Sequence, residues 1–100
     1  MTEVIIAGWM DYSIHRDQVL SHLQQVSEAT RAEAGCLAYA MSADSGDDGR
    51  IQVFERWASR EALENHLETA HVKEFRAAIV GYPRTARSLN RFLIADVESF

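Results

Sequence analysis

Apolar residues change their spacing several times along the chain, and each change marks an element. Val4-Ile5-Ile6-Ala7 is a short β-branched run that reads as a strand, extended by Trp9 and Met10 and broken at Asp11-Tyr12-Ser13. From about Ile14 the period becomes helical. Val19, Leu20, Leu23, Val26 and Thr30 fall on one stripe, with Gln24, Gln25, Glu28 and Arg31 between them. The pattern predicts a long amphipathic helix ending near Ala34, with Gly35 as its left-handed C-terminal residue. Leu37 to Met41 returns to a strand with Leu37, Tyr39 and Met41 on one face. The polar stretch Ser42 to Gly49 reads as a hairpin connection.

Ile51 to Trp57 is the next expected strand. Ile51, Val53, Glu55 and Trp57 point one way; Gln52, Phe54 and Arg56 point the other. Ser59 is an N-cap, with Glu61 in the first turn. Leu63, His66, Leu67 and Ala70 form one helical face. The pattern restarts at Val72, Phe75 and Ile79, so a kink or second short helix is expected around His71. Gly81-Tyr82-Pro83 stops it, and Thr85 to Val97 supplies a final strand containing Leu89, Phe92, Leu93 and Ile94.

The order β-α-β-β-α-β predicts an α+β, ferredoxin-like fold: an antiparallel four-stranded sheet with its helices on one face. Apolar residues stand on both faces of the strands, as Val53 and Trp57 against Phe54. The uncovered face therefore needs an apolar partner. A second copy, sheet against sheet, is the economical answer, giving a homodimer.

Composition narrows the function. The 100 residues fit one domain spanning 1–100, and 47% hydrophobic with 25% charged residues is a folded-protein balance. A chain this short buries about two thirds of its unfolded surface, so a deep pocket also argues for a second subunit. The net charge of -5, from 15 acids and 10 bases, excludes a phosphate-backbone binder, so no nucleic acid is expected. Arg84, Arg87 and Arg91 gather late and read first as a solvated edge. Cys36 is alone and cannot form an intrachain disulfide, which fits a reducing cytoplasm. Val4 to Ala7 is too short and lacks the basic flank of a signal peptide. Nothing approaches the ~20 apolar residues of a membrane span. A cytoplasmic protein with no membrane partner is expected.

Glu33-x-Gly35-Cys36-Leu37-x-Tyr39, followed by Phe54-Glu55-Arg56-Trp57-x-Ser59-x-Glu61-Ala62-Leu63-x-x-His66, resembles the antibiotic biosynthesis monooxygenase domain family. The flanking strand-helix and helix-strand pieces fit as well. The resemblance implies a dimeric α+β barrel. It also implies one of several chemistries: cofactor-independent oxygenation of quinols or polycyclic phenols, haem degradation, or isomerisation of a signalling sugar. Fold analogy alone does not choose among them. The haem branch relies on an Asn in the first strand, a Trp on the second helix and a proximal His about ten residues later. Aligned on Trp57, the helix Trp position is His66, the proximal position falls near Phe75 or Arg76, and the first strand has no Asn. Haem degradation is not expected.

His66 is the leading candidate for chemistry. It reads either as a core histidine satisfied by one hydrogen bond or as a base facing a pocket between helix and sheet. His71 lies about 140° further around an ideal helix and reads as a surface or kink residue. The four histidines and Cys36 form no spaced ligand set such as HExxH or CxxC, so no metal is expected. Asp44, Asp47 and Asp48 read as a solvated loop. Glu55, within a strand, is expected at the sheet edge or paired, with Arg87 or Arg91 as partners across the sheet. Tyr39, Trp57, Trp9, Phe75 and Phe92 are core or interface residues, or aromatic walls for a flat substrate. Asn90 is a polar residue in an apolar strand that hydrogen-bonds either a ligand or backbone.

The resemblance therefore implies a cofactor-independent monooxygenase acting on a small aromatic substrate with dioxygen. His66 would be the proton acceptor, and Trp57, Tyr39, Trp9, Phe75, Phe92 and Asn90 would surround the substrate, with no metal or flavin. The rivals are an isomerase or ligand-binding member that takes a small carbonyl compound, and a non-enzymatic dimeric module.

Overall fold

In the computed structural model, which describes residues 2–100, the strands form one antiparallel sheet in the order β2-β3-β1-β4. They are β1 (Glu3–Asp11), β2 (Cys36–Ala43), β3 (Arg50–Trp57) and β4 (Ala86–Ile94). A 3-10 turn at Ser13–His15 leads into α1 (Arg16–Arg31), and α2 (Arg60–Leu67) and α3 (Ala70–Ala78) follow β3. This is the expected ferredoxin-like α+β arrangement. Met1, where the first segment was read to begin, lies outside the described residues.

The alternation of each strand decides what the helices cover. Val4 pairs with Trp57, Ile6 with Glu55, and Tyr39 with Glu55, so these side chains share the helix-covered face. Val4, Val19, Ile51 and Trp57 are each 0% exposed. Burying each of the three aliphatic side chains among them contributes about 1.5–3 kcal/mol. One cluster joins Met10, Tyr12, Val19, Leu23, Ile51 and Val53; the other joins Val4, Tyr39, Trp57 and Leu63. On the opposite face Ala7 pairs with Phe54 and with Asn90, and Ile5 pairs with Phe92. Phe54 and Phe92 there are 41% and 47% exposed.

Several local expectations are corrected. α1 stops at Arg31 instead of Ala34: the N–H of Ala32 makes the last helical bond, to Glu28, and that of Glu33 already turns to Thr30, three residues back. Gly35 has the positive φ, 82°, but uses it to enter β2, not to cap α1. Its carbonyl accepts the N–H of Ala58 at 2.8 Å, tying the start of β2 to the end of β3. A bulge between Cys36 and Ala38 turns Leu37 away from Tyr39, and Leu37 is 51% exposed. The final strand ends at Ile94, short of Val97.

The interruption between α2 and α3 was legible, and its cause is Thr69. The Thr69 hydroxyl donates to the carbonyl of His66 at 2.8 Å and accepts the N–H of Val72 at 3.4 Å. It closes the last turn of α2 and opens the first of α3 at once. Ser59 caps α2 as read, accepting the N–H of Ala62 at 3.1 Å.

Candidate functional site: a carboxylate shared by two histidines

The turn after α1 delivers Glu33 beneath the junction of α2 and α3. Its Oε2 lies 2.7 Å from Nδ1 of His66 and 2.8 Å from Nε2 of His71. The three side chains are 13%, 6% and 24% exposed, so the contacts form largely out of water. A carboxylate oxygen only accepts, so both rings donate to it: His66 through Nδ1–H and His71 through Nε2–H. The second nitrogen of His66, Nε2, then carries a lone pair, and it has no hydrogen-bond partner among the described residues.

Aromatic rings enclose His66. The Trp57 ring centroid is 4.7 Å from that of His66, and the Tyr39 centroid is 5.8 Å away in an edge-on arrangement. The Trp57 indole N–H donates to Oε1 of Glu55 at 3.1 Å. Burial pushes the Glu55 carboxyl above the ordinary carboxylate value, against the stabilising Trp57 N–H and the nearby His66. Burial, then the charge of Glu55, also pushes the Tyr39 phenol up, keeping it a neutral O–H. Burial, then the charges of Glu33 and Glu55, push the Cys36 thiol up, which favours its protonated form.

The expected site residues divide into three groups. His66, Trp57 and Tyr39 come together between α2 and the sheet. Trp9, Asn90 and Phe92 do not join them; strand alternation puts all three on the open face of the sheet. There the Arg50 guanidinium lies 3.7 Å from the centre of the Trp9 ring. Phe75 packs against the other core cluster, and with His71 it borders a groove of about 360 Å³ between α1 and α3. A larger hollow of about 740 Å³ lies elsewhere, bordered by Asp11, Asp17, Asp47 and Asp48, and holds none of these groups.

One further expectation fails for a topological reason, and another is incomplete. Glu55 pairs with neither Arg87 nor Arg91, because β1 separates β3 from β4; Arg91 lies instead 3.6 Å from Glu64 of α2. His71 does sit at the helix break, partly exposed, but it is also the second ring on Glu33. The helix break resets the phase, so the 140° separation of a continuous helix never applies. One local signal marks the new helix: Thr69, three residues before Val72, is placed to cap it. No linear spacing brought Glu33 to two histidines more than thirty positions away, since α1, β2 and β3 must fold first.

The family model for antibiotic biosynthesis monooxygenase matches residues 13–78, a span that holds Glu33, Tyr39, Trp57, His66 and His71. The chain belongs to the antibiotic biosynthesis monooxygenase family. Among its relatives is the Mycobacterium tuberculosis protein named "Putative monooxygenase Rv0793", 35% identical over 75% of this chain and 73% of that one. The Escherichia coli protein named "Probable quinol monooxygenase YgiN" is 32% identical over 67% of this chain and 72% of its own. A solved family structure from Deinococcus radiodurans superposes with a TM-score of 0.84 at 26% identity, covering 97% of both chains. Among the described residues, no helix is long and apolar enough to cross a membrane.

Proposed function

We propose that this family member is a cofactor-independent monooxygenase of a small quinol or polycyclic aromatic phenol. The observation that carries the reading is the Glu33–His66 contact of 2.7 Å, with the far nitrogen of His66 left unpartnered beside Trp57 and Tyr39. Glu33 holds the ring in the tautomer with its lone pair on Nε2 and stabilises the imidazolium formed when that atom takes a proton. The substrate hydroxyl gives this proton. The phenolate then passes one electron to dioxygen, and the two radicals join at a ring carbon as a peroxide. The peroxide anion takes the proton back from His66, and loss of water with the hydrogen of that ring carbon leaves a quinone, so one oxygen atom stays with the product and the substrate itself is the reductant. The protein removes the proton, orients the ring and excludes water. The rings of His66, Trp57 and Tyr39 pack in contact, so on this reading a planar substrate enters as α2 moves off the sheet.

Arg84, Arg87 and Arg91 would favour the isomerase reading if they pointed inward toward a phosphate, whereas all three are exposed. The quinol name of a relative at 32% identity further supports the oxygenase. The exposed Phe54 and Phe92, with Ile5 and Trp9 on the same face, support a homodimer formed sheet to sheet. The unpaired Cys36 supports a reducing, cytoplasmic setting.

Oxygen uptake with menadiol tests the chemistry. His66→Ala is expected to abolish the protein-dependent rate while its circular dichroism and melting curve remain those of a folded chain. An unchanged rate in the folded variant removes His66 as the base. Light scattering tests the dimer, and a stable monomer at micromolar concentration refutes it.

A further inference from the structure

Glu33, His66 and His71 arrive from a turn, from the end of α2 and from the start of α3, yet each offers one donor atom to the same point. The three atoms lie within 4.8 Å of one another. We propose that they form a binding site for one first-row divalent transition ion, of which zinc is the type. Two imidazole nitrogens and one carboxylate oxygen are a donor set that such ions take, with a fourth position left for water. Calcium and magnesium favour all-oxygen sites with more ligands and are poor matches.

The fit requires the side chains to shift by about an ångström. A tetrahedral ion ~2.1 Å from each donor spaces the donors ~3.4 Å apart. The contacts of 2.7 and 2.8 Å must therefore open by roughly 0.6 Å, and the two ring nitrogens, up to 4.8 Å apart, must close by as much as ~1.4 Å, which side-chain rotations of Glu33 and His71 can supply. Thr69 holds the two helices at the junction while the rings turn, since its hydroxyl bridges the last turn of α2 and the first of α3. His66 and Glu33 are sheltered, whereas His71, 24% exposed, gives the ion a way in.

Binding changes the tautomers. In the free protein the protons sit on Nδ1 of His66 and Nε2 of His71, facing Glu33. The ion takes those lone pairs, so each neutral ring carries its proton on the remote nitrogen by exchange with solvent. No net proton is lost from either ring. His66 Nε2 then holds a hydrogen and no longer accepts one. An occupied site would thus shut off the proposed oxygenase step; this consequence alone rests on the functional proposal.

The test begins with chelator-treated protein titrated with zinc by calorimetry and with cobalt(II) by visible absorption. One ion per chain is expected, with the intense ligand-field bands of four-coordinate cobalt and a higher melting temperature. Glu33→Gln keeps the shape, and His71→Ala alters a partly exposed position. Each should weaken binding at least about tenfold by removing one of three donors. No binding at millimolar ion would overturn the site. So would equal binding in both variants, which would place the ions on the exposed aspartates. In the same preparations zinc should stop menadiol-driven oxygen uptake and a chelator restore it. Zinc bound with oxygen uptake intact leaves the metal site standing and removes His66 as proton acceptor.

Discussion

A methyl group added at Gly35 should strike the fold and the site together. Gly35 has φ 82°, a backbone conformation costing a side-chain-bearing residue about 1–2 kcal/mol. The new Cβ would lie 2.6 Å from the Cβ of Ala62 on α2, well inside van der Waals contact. Relieving such overpacking costs about 1–3 kcal/mol. Gly35→Ala should therefore destabilise the chain by about 2–5 kcal/mol. The strain acts on the helix that carries His66, from a residue two positions after Glu33, so it pries at the 2.7 Å contact between them. Ala62→Gly alone should cost about 1 kcal/mol of helix stability. Combined with Gly35→Ala it removes the clash but not the backbone strain. The double variant should then be more stable than the sum of the single losses by about 1–3 kcal/mol. Urea unfolding followed by tryptophan fluorescence measures all four corners. Additive losses would refute the clash, and a loss below about 0.5 kcal/mol in Gly35→Ala would refute both terms.

Glu33→Gln should lower kcat for menadiol oxidation about 10- to 150-fold with little change in KM, from the 1.5–3 kcal/mol typical of a charged hydrogen bond; a change in KM alone would deny its role in holding His66. Burial holds the Glu55 carboxyl above its ordinary 4.5, so the native chain binds more protons than the unfolded chain between that value and the raised one. Stability then falls as pH rises through that window. Glu55→Gln should flatten the fall, melting above the parent at pH 7–8 with the gap closing by pH 4, and parallel melting curves would count against it. Trp57→Phe keeps a ring but takes the indole N–H from Glu55, at a cost of about 1–3 kcal/mol at pH 7. That cost should shrink at pH 4, where Glu55 carries a proton; a pH-independent loss would mean packing alone.

The succession of elements was legible because it rests on local physics. β-branched runs, a helical stripe from Val19 to Thr30, and Ser59 as a cap act over a few residues, and all reappear in the structure. Which side chains face the helices followed from the period of two, as for Ile51, Val53 and Trp57. Only His66, Trp57 and Tyr39 of the expected site came together. The same alternation that buries Trp57 sends Trp9, Asn90 and Phe92 to the opposite face, and that shows only once the strand order pairs their positions.

By itself the sequence determined the order of strands and helices, the aromatic residues and the histidine at the centre of the site. Tertiary structure alone decided who touches that histidine. Glu33 meets His66 and His71 across separations of 33 and 38 residues, through a turn and a helix break. No periodicity reports such a distance, because periodicity describes one element at a time. A carboxylate shared by two rings exists only where separate elements pack.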